Sequence, residues 1–416
     1  MNNNKKKVAM LASLDTKYKE TMYARDVIEK SNCQAVVIDM SARFKDNEGA
    51  DIGPEKILEY SNITWESFDK LNKSERIETM SNALSYASPI LYESGVFDAI
   101  ISIGGGQNAR MAAAAMKQLP FGVPKIVASS LACGKRTLEQ YVGDKDIFVL
   151  HTVADISSLN NITKTIINNV CNAVTGMVNQ KATIKETKKI KVAATMLGIT
   201  TKGVEGVLKK LPDDKFEKTC FHANGVGGRC MEKMIREGSF DLILDMTLHE
   251  ITGEIIGGYC QGANNRLKAA IETKTPMLVV PGALDMLDFF IDEEGKGLPD
   301  DIEKRKKVYH NSSICHTKIY VEEAKKLADT LAMRLNMAES PVTLIVPNQG
   351  FCEAAAPAGP MYDPEVDKAF IEQMKKKLNE NIEMIVVDGN INDEICQNAV
   401  LEALNKIIYK IKRSSL

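Results

Sequence analysis

Residues 97–130 read FDAIISIGGGQNARMAAAAMKQLPFGVPKIVASS, and the organisation of the chain follows from them. Residues 97–103 form a short apolar run with branched side chains, the length of one buried strand. Gly104, Gly105 and Gly106 interrupt it, and residues 107–119, dense in Ala and Met, predict a helix. Pro120, Gly122 and Pro124 end that helix, and residues 125–128 start a second strand. Strand, glycine turn, helix and strand make a βαβ unit. Glycines let the backbone approach a ligand closely, and a helix start presents N–H groups with no intrahelical acceptor. Together these are the ingredients of an anion or phosphate seat. The same residues also suit a plain tight turn packed on the sheet.

The chain has 416 residues, longer than a single core usually grows, so two or more domains are expected. At 44% hydrophobic and 26% charged residues the composition is that of a globular protein. A formal charge of −2 argues against a broadly basic surface for nucleic acid. No apolar run reaches membrane-spanning length, and the start, MNNNKKKVAM, has no signal-peptide core, so no membrane partner is expected. Nine scattered cysteines with no CxxC pair fit a reduced, cytoplasmic protein. Five histidines occur without HExxH or comparable spacing, so no metal is assigned.

Residues 7–13 predict the first strand, running into Asp15, Thr16 and Lys17, with a helix over 20–30 and a second strand over 35–39. Asp39 ends that strand where an acid often meets a ribose, but the first turn lacks GxGxxG, so no dinucleotide site is inferred. Residues 41–82 read as a polar excursion or mobile lid, and 81–94 as helix. ACGKRT at 132–137 departs from a phosphate loop at its first glycine and its last hydroxyl. Residues 162–179 predict a helix closing a first domain, 1–180, and basic residues 180–189 a linker into a second, 181–416.

The second half restarts the pattern. KVA recurs at Lys191, Thr201–Lys202 answers Thr16–Lys17, residues 240–245 answer 97–102, and 276–281 answer 124–129. The fold class expected is α/β, two Rossmann-like three-layer α/β/α lobes with mostly parallel sheets. FHANGVGGR at 221–229 packs His222, Asn224, Gly225, Gly227, Gly228 and Arg229 together before a helix. Its backbone can cradle an anion, with the Arg229 fork as a further donor. Strand 241–244 leads into Asp245, Thr247, His249 and Glu250, on the rim where open sheets bind ligands. These four can hold a metal, exchange a proton, or simply cap a helix, since Thr247 and Glu250 have capping-box spacing. HNSSICH at 310–316 reads as a loop, 292–307 as a solvated segment, and 351–364 as a ligand flap or a closing belt.

LDTK at 14–17, LPFGVPKIVASSLACG at 119–134, YVGDKDI at 141–147, FHANGVGGRCME at 221–232, LDMTLHE at 244–250, GPMYDP at 359–364 and IND at 391–393 carry a resemblance over nearly the whole chain. In these stretches the chain resembles the family of the tomato mosaic virus resistance protein and its uncharacterised bacterial and archaeal relatives. The resemblance implies an N-terminal domain that binds ATP and a C-terminal domain of the same broad class. It places the nucleotide seat at Gly104, Gly105, Gly106, Gln107 and Asn108, with Asp15, Thr16, Lys17, Ser129 and Ser130. The family's loop commonly reads GGSGGT, where this chain has GGGQNA. An acid common in the late loop is replaced by Ala355 or Ala356.

Three functions remain in view. The first is a nucleotide-binding protein with ATP as cofactor. The second is an enzyme acting on a small anionic metabolite in a cleft between the lobes. There Arg229, Asn224, Gly225, Gly227, Gly228 and Thr247 would bind substrate, His222 or His249 would move a proton, and Glu250 or Asp245 would tune it. The third is a non-catalytic scaffold. Chains of this size and class often self-associate, which is compatible with a homo-oligomer.

Overall fold

The computed structural model describes residues 5–132, 137–180, 187–261, 263–291 and 297–414. Most of the ACGKRT segment and of the expected linker lie outside the described residues. The chain divides into two compact units, Met1–Lys185 and Glu186–Leu416.

In the first unit β1 (Lys7–Ala12), β2 (Gln34–Asp39), β3 (Ala99–Gly104), β4 (Lys125–Ser129) and β5 (Phe148–His151) form a parallel sheet. Its order is β2-β1-β3-β4-β5. Side chains alternate across each strand. Val8, Met10 and Ala12 face a layer with Ala24, Ile28, Ile167 and Val174, whereas Ala9 and Leu11 face one with Leu84, Met111 and Ala112. Burial on both faces explains why these strands read as unbroken apolar runs.

The excursion expected over 41–82 is ordered. It contains helices Pro54–Glu59 and Trp65–Asp69, and the helix expected from residue 81 begins at Lys73 and runs to Glu93. Asn72 accepts from the N–H groups of Ser74 and Glu75, while Glu75 accepts from the N–H of Asn72, 2.9 Å away. This reciprocal cap fixes the helix start. Trp65 and Phe68 pack 5.2 Å apart and pin the segment down.

The second unit carries a six-stranded parallel sheet of β6 (Ile190–Met196), β7 (Phe216–His222), β8 (Leu242–Thr247), β9 (Met277–Gly282), β13 (Val342–Pro347) and β14 (Glu383–Val387). Its order, β14-β13-β9-β8-β6-β7, read from the other edge is that of the first sheet with one strand added. The recurring KVA falls on β1 and β6, the segments 97–102 and 240–245 on β3 and β8, 124–129 and 276–281 on β4 and β9, and Thr16–Lys17 and Thr201–Lys202 in the helices that follow β1 and β6. The short sequence repeats thus mark equivalent strands. A second sheet was not foreseen: β10 (Met286–Phe290), β11 (Lys307–Tyr309) and β12 (Ile314–Lys318) pair antiparallel in the order β10-β12-β11. Residues 310–316 are therefore a hairpin end and a strand, with His316 inside β12. The late loop is a belt: Phe351, Cys352, Ala355 and Met361 are buried, and Asn390 Nδ2 donates to the carbonyls of Gln349, Gly350 and Cys352.

Candidate functional site

In a doubly wound sheet the chain leaves the carboxyl ends of two adjacent strands in opposite directions, which opens a crevice between them. In the first unit this point lies between β1 and β3. A cavity of about 460 Å³ occupies it, within the range of small-molecule sites. Asp15, Thr16, Lys17, Gly105, Gly106, Gln107 and Asn108 all line it. Gly104, Ser129 and Ser130 do not. Gly104 is covered by the Asn108 side chain, and Ser129 is buried, its Oγ accepting from the N–H of Leu131 at 3.2 Å.

Two helices begin at this cavity, and they differ. The helix Leu14–Lys30 has its first donors satisfied internally. Leu14 N–H donates to Asp39 Oδ1 at 3.1 Å, Asp15 N–H to Ser41 Oγ at 3.1 Å, and the N–H groups of Thr16 and Lys17 to the Ser13 carbonyl. Asp39 also accepts from Ser41 and Asn47 and is fully buried, so it shapes the turn and does not face a ribose. The helix Gly106–Met116 instead starts at Gly105 without a side-chain cap. The N–H groups of Gly106, Gln107 and Asn108 find no acceptor among the described residues. Asn108 Oδ1 accepts from Ser13 Oγ at 2.9 Å, which leaves its buried Nδ2 without an acceptor.

Around these donors stand Lys17, Arg43 and Lys73. Arg76 is committed: it pairs with Asp69 at 2.8 Å and donates to the carbonyls of Leu71 and Ala42, which fixes the cavity wall. Leu71 and Ile77 add an apolar face. Asp15 Oδ1 is buried with no donor. Burial, then repulsion from Asp39, pushes the Asp15 pKa up. Sequence reading missed Arg43 and Lys73, which both lie within the excursion over 41–82 and line the cavity.

The second unit has the equivalent switch point between β6 and β8, and it is filled by side chains. Arg266, fully buried, binds both oxygens of Asp245 and one of Glu250, with Glu232 3.9 Å from its Nε. Burial alone would lower the Arg266 pKa; Asp245, Glu250 and Glu232 outweigh that and raise it. Glu250 Oε1 accepts from the N–H groups of Gly225 at 2.5 Å and Gly228 at 3.0 Å. A Cβ at Gly228 would run into that carboxylate, so glycine is required there by contact. The glycine loop does cradle an anion, and the anion is the chain's own Glu250.

Thr247 is also satisfied within the fold: its N–H donates to Thr195 Oγ1 and its hydroxyl lies 2.8 Å from that of Thr200. The expected capping box of Thr247 and Glu250 is not made, because Leu248 is the N-cap and carries no side-chain cap bond. Asn224 accepts weakly from Gly227 N–H at 3.4 Å. His222 and Asn224 are exposed at the end of β7 and Arg229 is half-buried, whereas Asp245, His249 and Glu250 are enclosed. The structure thus separates the expected catalytic set into a surface histidine and a buried ion cluster. Arg266, which organises that cluster, was not singled out from the sequence.

Two successive doubly wound α/β units, the first with an open cavity at its switch point, define a tandem Rossmann-like protein. The chain belongs to the Uncharacterised protein family UPF0261: the family's N-terminal domain matches residues 6–183 and its C-terminal domain residues 189–408. A UPF0261 protein of Clostridium tetani is 33% identical over 410 residues, covering 97% of this chain and 100% of that protein. The UPF0261 protein RA0729 of Rhizobium meliloti is 27% identical over 376 residues, covering 90% and 92%. The ToMV resistance protein Tm-1(GCR237) of Solanum lycopersicum is 29% identical over 430 residues, covering 98% of this chain and 56% of that protein. This chain therefore spans about half the length of the tomato protein. No described helix is long and apolar enough to cross a membrane.

Proposed function

We propose that the first unit binds a nucleotide, with ATP the first candidate, in the cavity between the carboxyl ends of β1 and β3. The observation that carries this reading is the uncapped helix start at the cavity: the N–H groups of Gly106, Gln107 and Asn108 have no acceptor among the described residues, and all three residues line that space. A helix start left open in this way is a ready seat for a phosphate, which would satisfy its N–H groups together. Lys17, Arg43 and Lys73 supply compensating charge. Each anionic group at a helix start gains about 0.3–1 kcal/mol, so several donors must act together for useful affinity. Asp15 lines the same cavity and brings a carboxylate that can meet a ribose hydroxyl or a cation carried with the phosphates. Leu71 and Ile77 offer a base an apolar wall.

The loop GGGQNA keeps the chemistry in another form. Gln107 and Asn108 put amides where the pattern has two glycines, Gly106 and Ala109 stand at its hydroxyl positions, and the Asn108 amide oxygen accepts from Ser13 Oγ. The test is calorimetric titration of the full chain with ATP, beside Gly105→Val. A Cβ at Gly105 meets nothing within 4 Å, so the added side chain enters ligand space, and circular dichroism checks that the variant is folded. Binding that weakens at least about tenfold, roughly 1.4 kcal/mol, supports the reading. Absence of binding at millimolar ATP, or equal binding by the variant, refutes it. Binding of inorganic phosphate or a small carboxylate in preference to ATP would reassign the cavity to a small anionic metabolite.

A further inference from the structure

The second unit holds a convergence of donor atoms that the ion cluster around Arg266 does not use. His249 opens the short helix after β8, Cys260 lies in the loop beyond it, and Asp288 lies in β10. All three are buried, and one donor atom of each lies within 4.8 Å of the others. Cys260 Sγ is 2.8 Å from Asp288 Oδ2, and His249 Nε2 is 3.0 Å from Asp288 Oδ1. His249 Nδ1 lies 3.0 Å from the Ala283 carbonyl, a bond it can make only as donor. That bond leaves Nε2 of the neutral ring as a lone pair facing a carboxylate, acceptor against acceptor. Among the described residues Nε2 has no well-aligned hydrogen bond, although it lies within ion-pair distance of Asp288. Directly across the strand pair from Asp288 stands His316, whose buried Nδ1 is likewise without a partner.

A cation between these groups resolves the conflict. We propose that His249 Nε2, Cys260 Sγ and the Asp288 carboxylate bind a divalent metal ion of the Zn²⁺ class, with water or His316, the cross-strand neighbour of Asp288, as the fourth donor. Mixed thiolate, imidazole and carboxylate donors suit Zn²⁺ and disfavour Mg²⁺ or Ca²⁺. The Ala283 carbonyl is the outer partner that metal-bound imidazoles generally have, since it fixes the tautomer. The thiol must ionise on binding: the S–H bond breaks, the S–metal bond forms, and one proton leaves to solvent. The alternative is a metal-free pair, with His249 protonated against Asp288 and the Cys260 thiol donating to the other oxygen.

The test uses the full chain, stripped with chelator and titrated with Co²⁺ and then Zn²⁺. The proposal predicts one equivalent bound, with a thiolate-to-cobalt charge-transfer band and proton release. Cys260→Ser, checked for fold by circular dichroism, should lose the band and weaken binding at least about tenfold, while Cys230→Ser leaves both unchanged. Should Cys260→Ser not fold, X-ray absorption of the wild-type zinc form decides: one sulfur at about 2.3 Å with nitrogen or oxygen neighbours at about 2.0–2.2 Å supports the site. A wild type with no cobalt band, a band that survives in Cys260→Ser, or a zinc shell without sulfur overturns it in favour of the protonated pair.

Discussion

Arg266→Met is the substitution whose effect follows most directly from the second unit. It removes a fully buried guanidinium and leaves Asp245, Glu250 and Glu232 enclosed without their cation. Breaking a buried pair from one side costs about 3–5 kcal/mol, because the remaining charge cannot be hydrated. Here three carboxylates face each other, so part of the loss is relieved by taking up a proton, which keeps the figure near that range. Domains are typically stable by only about 5–15 kcal/mol, so most of the margin disappears. Urea unfolding followed by circular dichroism should show a midpoint shift with little change in slope. Arg266→Lys should fall between, since it keeps charge and loses the fork that grips both Asp245 oxygens. Adding Asp245→Asn and Glu250→Gln to Arg266→Met should recover part of the loss. The amides remove the unpaired charge, and Gln keeps an oxygen for the N–H groups of Gly225 and Gly228. A loss below about 1 kcal/mol for Arg266→Met, the size expected of an exposed pair, would refute the view that this cluster holds the unit together.

Three other outcomes are expected. Burial, with repulsion from Asp285, pushes the Asp367 carboxyl from 3.8 up to about 7 against the pull of Lys318. The native state then keeps a proton that the unfolded chain has released, so this contribution to stability falls as pH rises from about 4 to about 7. Melting temperatures of Asp367→Asn across that window should show a flatter profile than wild type, and a steeper one would contradict the reasoning. A Cβ at Gly203 would strike the Ile391 carbonyl, so Gly203→Ala should cost about 1–3 kcal/mol in urea unfolding. Asn72→Ala should cost about 1 kcal/mol by removing the cap of helix Lys73–Glu93, measured the same way.

The central βαβ unit was legible because its strands are apolar throughout and its helix is bounded by Gly and Pro. The tandem arrangement was legible through KVA and its companion repeats, which fall on equivalent strands. The helix Lys73–Glu93 was placed late, although Asn72 and Glu75 have the spacing of a cap; a polar exposed face masked the pattern. The hairpin sheet was missed because β10, β11 and β12 have only three to five residues each and carry charged or polar side chains. Arg266 and Lys318 were not singled out, since a sequence does not show which carboxylates will enclose a charge. Lys318 is held between Asp285 at 2.7 Å and Asp367 at 2.9 Å, partners distant along the chain. His249 was singled out, but its partners Cys260 and Asp288 were not, for the same reason: the three meet only when the loop after helix His249–Ile255 and strand β10 fold together. The anion-cradling turn at Gly225 and Gly228 was recognised as a turn, but its occupant was another part of the same chain.

Hydrogen exchange of the full chain with and without ATP addresses the nucleotide site at the atoms on which it rests. The account predicts slowed exchange at the amides of Gly106, Gln107 and Asn108, smaller effects around Lys17, and none at Gly225 or Gly228, whose N–H groups Glu250 already holds. Unchanged exchange at Gly106, Gln107 and Asn108 under saturating ATP, or protection centred on the Gly225 loop instead, would contradict it.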